Sequence, residues 1–118
     1  VVAALQGDQS HIDEFRSALT ERARLTTERL SAIPAMSCVP PRAAFYAMPS
    51  LALPPGRTDE DFVLSLLRET GILCVYGSGF GMAPEAGCFR IVFLASPEEL
   101  TMTYNDIAAF TEHYLEKA

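Results

Sequence analysis

Gly71-Ile-Leu-Cys-Val-Tyr-Gly-Ser-Gly-Phe-Gly-Met-Ala-Pro-Glu-Ala-Gly-Cys-Phe-Arg-Ile-Val-Phe-Leu-Ala95 is the stretch that decides the fold. Two apolar runs within it, Ile72 to Tyr76 and Phe89 to Leu94, are too short for independent helices and rich in β-branched and aromatic residues. Glycines bound them, and they read as two strands. The connection from Gly77 to Cys88 carries Gly77, Gly79, Gly81, Gly87 and Pro84 and is longer than a tight hairpin requires. Loops of that kind are usually functional or mobile. Arg90 is the oddity of the second run, a permanent charge among Phe89, Ile91, Val92, Phe93 and Leu94 that must meet water or an anion.

Working outward, Thr58-Asp59-Glu60-Asp61 opens a helix with a cap and first-turn acids suited to the helix dipole. Phe62, Val63, Leu66 and Leu67 form its buried side, and Gly71 ends it in a left-handed cap position. On the other flank, Ser96-Pro97-Glu98-Glu99 is a capping box with proline at the first helical position; Leu100, Tyr104, Ile107, Phe110 and Tyr114 give that last helix its apolar face. Upstream, Ala43 to Met48 lies between prolines and reads as a strand, and Ser50 to Arg57 as a loop. Further upstream, Ser10-His11-Ile12-Asp13 has the form of a capping box. Ile12, Phe15, Leu19, Ala23, Leu30 and Ile33 then mark one face of a long amphipathic helix that Pro34 terminates.

The order helix, strand, helix, strand, strand, helix predicts an α+β fold, a small, mostly antiparallel three-stranded sheet with helices packed on one face. Residues 1–118 form a single domain, with 1–9 expected to be the tail of a preceding segment, because the chain opens with Val1 and an apolar, helix-like stretch.

With 118 residues and 49% hydrophobic content, the chain has enough apolar material for one core. No run approaches the roughly 20 apolar residues that cross a bilayer. A net charge of -6 with scattered cations argues against a nucleic-acid partner. Cys38, Cys74 and Cys88 fit neither a disulfide framework nor a zinc spacing and predict reduced thiols in a cytoplasmic protein. His11 and His113 read as exposed side chains, and no metal site is expected. Arginines are frequent, whereas Lys117 is the sole lysine and lies one residue from the end, a poor place for a desolvated Schiff-base amine.

Gly77-Ser78-Gly79-Phe80-Gly81 invites a dinucleotide reading, but Met82 stands where a third glycine of G-x-G-x-x-G belongs, and Pro84 and Gly87 follow in place of a helix. The glycines are better read as permitting a tight backbone path. The paired acids Glu98 and Glu99, and those from Asp59 to Asp61, are explained by capping. Arg90 has two readings. It is either a strand arginine on a solvated face or, at the strand start after a glycine loop, a bidentate clamp for a small carboxylate.

Pro41 through Tyr46, Asp61-Phe62 with Leu66-Leu67, Gly71-Ile72 to Gly81, and Phe89-Arg90-Ile91 together resemble the C-terminal small domain of fold-type I, class I/II pyridoxal-phosphate-dependent aminotransferases, with the aspartate/alanine branch nearest. The resemblance spans nearly the whole chain. It implies amino-group transfer between an amino acid and a 2-oxo acid, pyridoxal 5'-phosphate as cofactor, and a homodimeric parent enzyme. It also implies that Arg90 clamps the substrate α-carboxylate, that Gly77, Ser78, Gly79 and Phe80 line the active-site wall, and that the domain closes on substrate. Two positions depart from the family pattern, Ala43 where glycine is frequent and Tyr76 where proline is. The Schiff-base lysine and the cofactor-binding residues would lie upstream, so no catalytic residue is expected within these residues and the piece alone is expected to be inactive. A non-catalytic amino-acid-sensing module is the alternative in a different class.

Overall fold

The structure, a computed structural model, describes residues 1–117. The four helices are α1 (Val2–Gln6), α2 (Ser10–Ser31), α3 (Asp59–Thr70) and α4 (Pro97–Glu116). The strands are β1 (Met36–Ser37), β2 (Tyr46–Ala47), β3 (Ser50–Leu51), β4 (Val75–Tyr76) and β5 (Phe89–Val92). The predicted three-stranded sheet is present with order β2-β5-β4, and both pairs are antiparallel. An added two-stranded ribbon, β1 with β3, was not foreseen, since two-residue strands leave no periodicity to read.

Proline shapes the first sheet pair. Tyr46 faces Val92, Ala47 faces Ile91 and Ser50 bridges to Cys88, so one register runs from β2 into β3. Pro49 has no N–H to donate, but its carbonyl accepts from Phe89 N at 3.0 Å and keeps the ladder aligned. The strand expected over 43–48 is confined to Tyr46–Ala47, and pairing resumes at Ser50, inside the stretch read as a loop. Ala44 precedes it with φ 57°, in the left-handed region.

The capping predictions at α3 and α4 hold in detail. Thr58 and Asp61 exchange side-chain and backbone bonds, as do Ser96 and Glu99, and Gly71 closes α3 at φ 77°. The box proposed at Ser10 does not form. Asp8 takes both the Ser10 N–H and its hydroxyl, and Asp13 pairs with Arg16 at 3.4 Å. A carboxylate two residues upstream reaches the free N–H groups first.

Alternation along β5 decides what the helices cover. Phe89, Ile91 and Phe93 point into the core against α3 and α4; Arg90 and Val92 point the other way. Phe62 of α3 anchors that core, its ring 5.3 Å from Phe89, 5.5 Å from Phe110 and 5.3 Å from Tyr114. Between α2 and α4 the buried hydroxyls of Thr26 and Tyr104 satisfy each other at 2.6 Å. The C-terminal part of α2 is buried at Leu30, but Ile12 and Phe15 nearer its start remain 41% and 49% exposed. The apolar stripe read from sequence is thus covered over only part of its length. Among the described residues no helix is long and apolar enough to cross a membrane.

Candidate functional site

The sheet face opposite the helices carries Tyr46 from β2, Val75 from β4, and Arg90 and Val92 from β5. Arg90 emerges between its neighbours, with its guanidinium carbon 4.7 Å from the Tyr46 ring centroid and 4.7 Å from that of Phe80. Two aromatic rings therefore hold the cation. Such contacts engage the faces of a guanidinium and leave the N–H groups at its edge for other partners. Among the described residues the ion pairs join Arg16 to Asp13 and Arg24 to Glu28, and Arg90 takes part in neither. Its Nε is buried without a hydrogen-bond partner. Nε is covered, so the terminal N–H groups of this half-buried arginine, which bond no acid among the described residues, are the ones suited to a carboxylate from outside these residues.

Phe80 reaches Arg90 because of how the glycine loop folds. Gly77–Phe80 forms a 3-10 turn, Gly81 continues at φ 86°, and a second 3-10 turn covers Pro84–Ala86. At the base of the loop Gly77 N donates to Cys88 O at 2.7 Å, so close that a Cβ on Gly77 would lie 2.8 Å from that oxygen. Gly87 is tighter still. A Cβ there would stand 2.0 Å from Leu51 O, and Gly87 has φ 62°. These two glycines permit the close approach of three backbone segments around Cys88.

The turn is tied to α3 by a side chain that sequence reading assigned only to the helix dipole. Asp59, 1% exposed, accepts from Ser78 N at 2.5 Å through Oδ2, and from Ser78 Oγ at 2.9 Å and Glu60 N at 2.8 Å through Oδ1. Three donors satisfy this buried carboxylate. Ser78 is thus pinned while Phe80, two residues on, remains 51% exposed above Arg90. Of the residues expected at the site, Phe80 meets Arg90, whereas Gly77 packs on Cys88, Ser78 bonds Asp59 and Gly79 lies by the Tyr76 ring. Tyr46 and Asp59 are the additions: Tyr46 could have been found from strand alternation once the register was known, whereas nothing in the local pattern marks Asp59 as buried.

The remaining titratable groups lie elsewhere. Cys38, Cys74 and Cys88 are buried free thiols, and among the described residues no cluster of His, Cys, Asp or Glu could hold a metal ion. Burial pushes the Cys74 thiol up to about 12, and it raises Cys88 too, with the nearby Asp59 carboxylate adding to the effect. None of these thiols has the lowered pKa of a nucleophile.

The profile of the family described as Aminotransferase class I and II matches residues 1–107. An alanine aminotransferase 2-like protein of Danio rerio is 32% identical over 111 residues, spanning 86% of this chain and 20% of that protein. An aspartate aminotransferase of Geobacillus stearothermophilus is 34% identical over 115 residues, covering 94% of this chain and 28% of that protein. The solved structure of an alanine aminotransferase from Pyrococcus furiosus superposes with a TM-score of 0.87 at 36% identity, over 95% of this chain and 28% of that one. The chain thus spans less than a third of the length of these relatives. A family profile running from the first helix into α4, around a sheet that presents an unpaired arginine, leads to one conclusion: the chain belongs to the class I and II aminotransferase family.

Proposed function

We propose that these residues are the C-terminal small domain of a transaminase that moves an amino group between an amino acid and a 2-oxo acid, and that Arg90 binds the substrate α-carboxylate. The observation that carries this reading is the Arg90 guanidinium, held between Tyr46 and Phe80 with no ion pair to an acid among the described residues. A carboxylate arriving in the plane of the guanidinium meets its terminal N–H groups edge-on. Each charge-assisted bond contributes about 1.5 to 3 kcal/mol. The Gly77 to Phe80 turn forms the wall of the site beside it.

The family's cofactor, pyridoxal phosphate, supplies an electron sink when bound. The residues of this chain do not fit it as a covalent anchor, since the one lysine, Lys117, is exposed beyond the end of α4. In this reading the anchoring lysine and the phosphate-binding groups belong to other parts of a homodimeric, cytoplasmic enzyme, and these residues by themselves are inactive. The relatives' names suggest alanine or aspartate as amino donors.

The test is to purify the full-length protein, record its pyridoxal-phosphate absorbance, and assay amino transfer from L-alanine and L-aspartate to a 2-oxo acid. Cofactor absorbance that changes on adding amino acid, with turnover, is the expected result. A protein with no bound cofactor that still binds amino acid would overturn the proposal in favour of a sensing module.

A further inference from the structure

We propose that Asp59 is a positioning residue for the carboxylate clamp, acting through Ser78 and Phe80 on Arg90; this rests on the reading of Arg90 given above. Asp59 does more than a first-turn helix acid requires. A helix N-terminus attracts an acid through its partial positive charge, and an exposed carboxylate already gains from it without being turned toward another element. Here the carboxylate is 1% exposed and turned toward a different element, 19 positions away, where it receives both the backbone N–H and the hydroxyl of Ser78.

The geometry explains why that bond matters. The turn Gly77–Phe80 has few other means of holding its shape, with glycine at two of its four positions and another glycine at its end. A glycine-rich turn samples many conformations unless side-chain bonds select one. Asp59 selects the one in which Ser78 is fixed against the N-terminus of α3 and Phe80 projects back over the guanidinium. Because α3 is packed into the core through Phe62, Val63 and Leu66, the carboxylate is anchored on a rigid element. Arg90, lacking an acid to direct it, takes its orientation from the two rings, and only the Tyr46 ring comes from the sheet.

The experiment uses the full-length enzyme and reads the inhibition constant of propionate, a carboxylate without an amino group, against L-alanine. Asp59→Ala is compared in the native and Arg90→Ala backgrounds. The expected result is a rise of about 2- to 5-fold in the propionate constant from Asp59→Ala, no larger than the loss of the Phe80 ring would give, with no further rise when Arg90 is already alanine. Ser78→Ala, which keeps the backbone bond and the core, provides the same reading at a few-fold level if Asp59→Ala does not fold. An unchanged constant in both variants, with Arg90→Ala still raising it, overturns the role of Asp59 and leaves the clamp standing. A lowered kcat or Tm with an unchanged constant also overturns it, since that is what a purely structural carboxylate would give. If Arg90→Ala itself has no effect, the clamp reading fails, and the inference with it.

Discussion

Tyr46 and Arg90 lie diagonally across the β2–β5 pair, with the guanidinium carbon 4.7 Å from the centre of the tyrosine ring. Phe80 matches that distance from the glycine loop. The cation is held by one ring from a rigid sheet and one from a turn, and the two rings contribute differently to binding.

Replacing Phe80 by alanine is expected to raise KM for amino-acid substrates about 2- to 5-fold in the full-length enzyme. An exposed cation–π contact contributes about 0.5 to 1 kcal/mol, and Phe80 is half exposed. Tyr46→Phe keeps the ring and should alter KM by less than about 2-fold. Steady-state kinetics check both; a larger effect from Tyr46→Phe would mean that the hydroxyl, not the ring, is used.

The loop glycines should separate by environment. At Gly81 a Cβ meets nothing within 4 Å, so Gly81→Ala carries only the strain of φ 86°, about 1 kcal/mol. Gly87→Ala adds a backbone clash at 2.0 Å to a positive φ and is expected to cost several times as much. Chemical denaturation compares the two, and equal losses would contradict the packing around Cys88.

Ala44 offers the opposite test. With φ 57° and an exposed side chain, it occupies a conformation that glycine adopts freely. Ala44→Gly is expected to stabilise the fold by about 0.5 to 1 kcal/mol, offset in part by the greater freedom of the unfolded chain. A lowered denaturation midpoint would show that the left-handed turn before β2 is not strained.

Alkaline pH should destabilise the core. Burial pushes Cys74 from 9.0 to about 12 and Tyr104 from 10.0 to about 12, the Thr26 hydrogen bond partly countering the latter. Both groups are neutral when protonated, and their folded pKa values lie above the unfolded ones. Their contribution is fully present below pH 9 and is lost as the pH rises toward 12. Urea midpoints measured from pH 7 to 11 should be level at first and fall above 9. A midpoint constant to pH 11 would contradict the burial of both groups.

Sequence reading reached those parts of the fold that are written locally. Thr58, Ser96 and Gly71 mark helix ends through bonds to residues three or four positions away, and their geometry matches the pattern. The hairpin of β4 and β5 was legible from two apolar runs and the glycines between them. Long-range facts were not. That Pro49 continues one register from β2 into β3 depends on the partner strand, and that Asp59 is buried depends on where Ser78 comes to rest. The stripe of α2 was read correctly as apolar, but periodicity cannot say which turns are covered, and Ile12 and Phe15 are open.

The central claim is tested most directly by kcat/KM for L-alanine and L-aspartate in the full-length enzyme carrying Arg90→Ala and Arg90→Lys. Loss of a two-pronged contact, at about 1.5 to 3 kcal/mol for each bond, predicts a fall on the order of 10²- to 10⁴-fold for alanine, with lysine recovering part of it as a point charge. Unchanged kcat/KM in both variants, with the cofactor bound as in the native protein, would contradict the assignment of Arg90 to the substrate carboxylate.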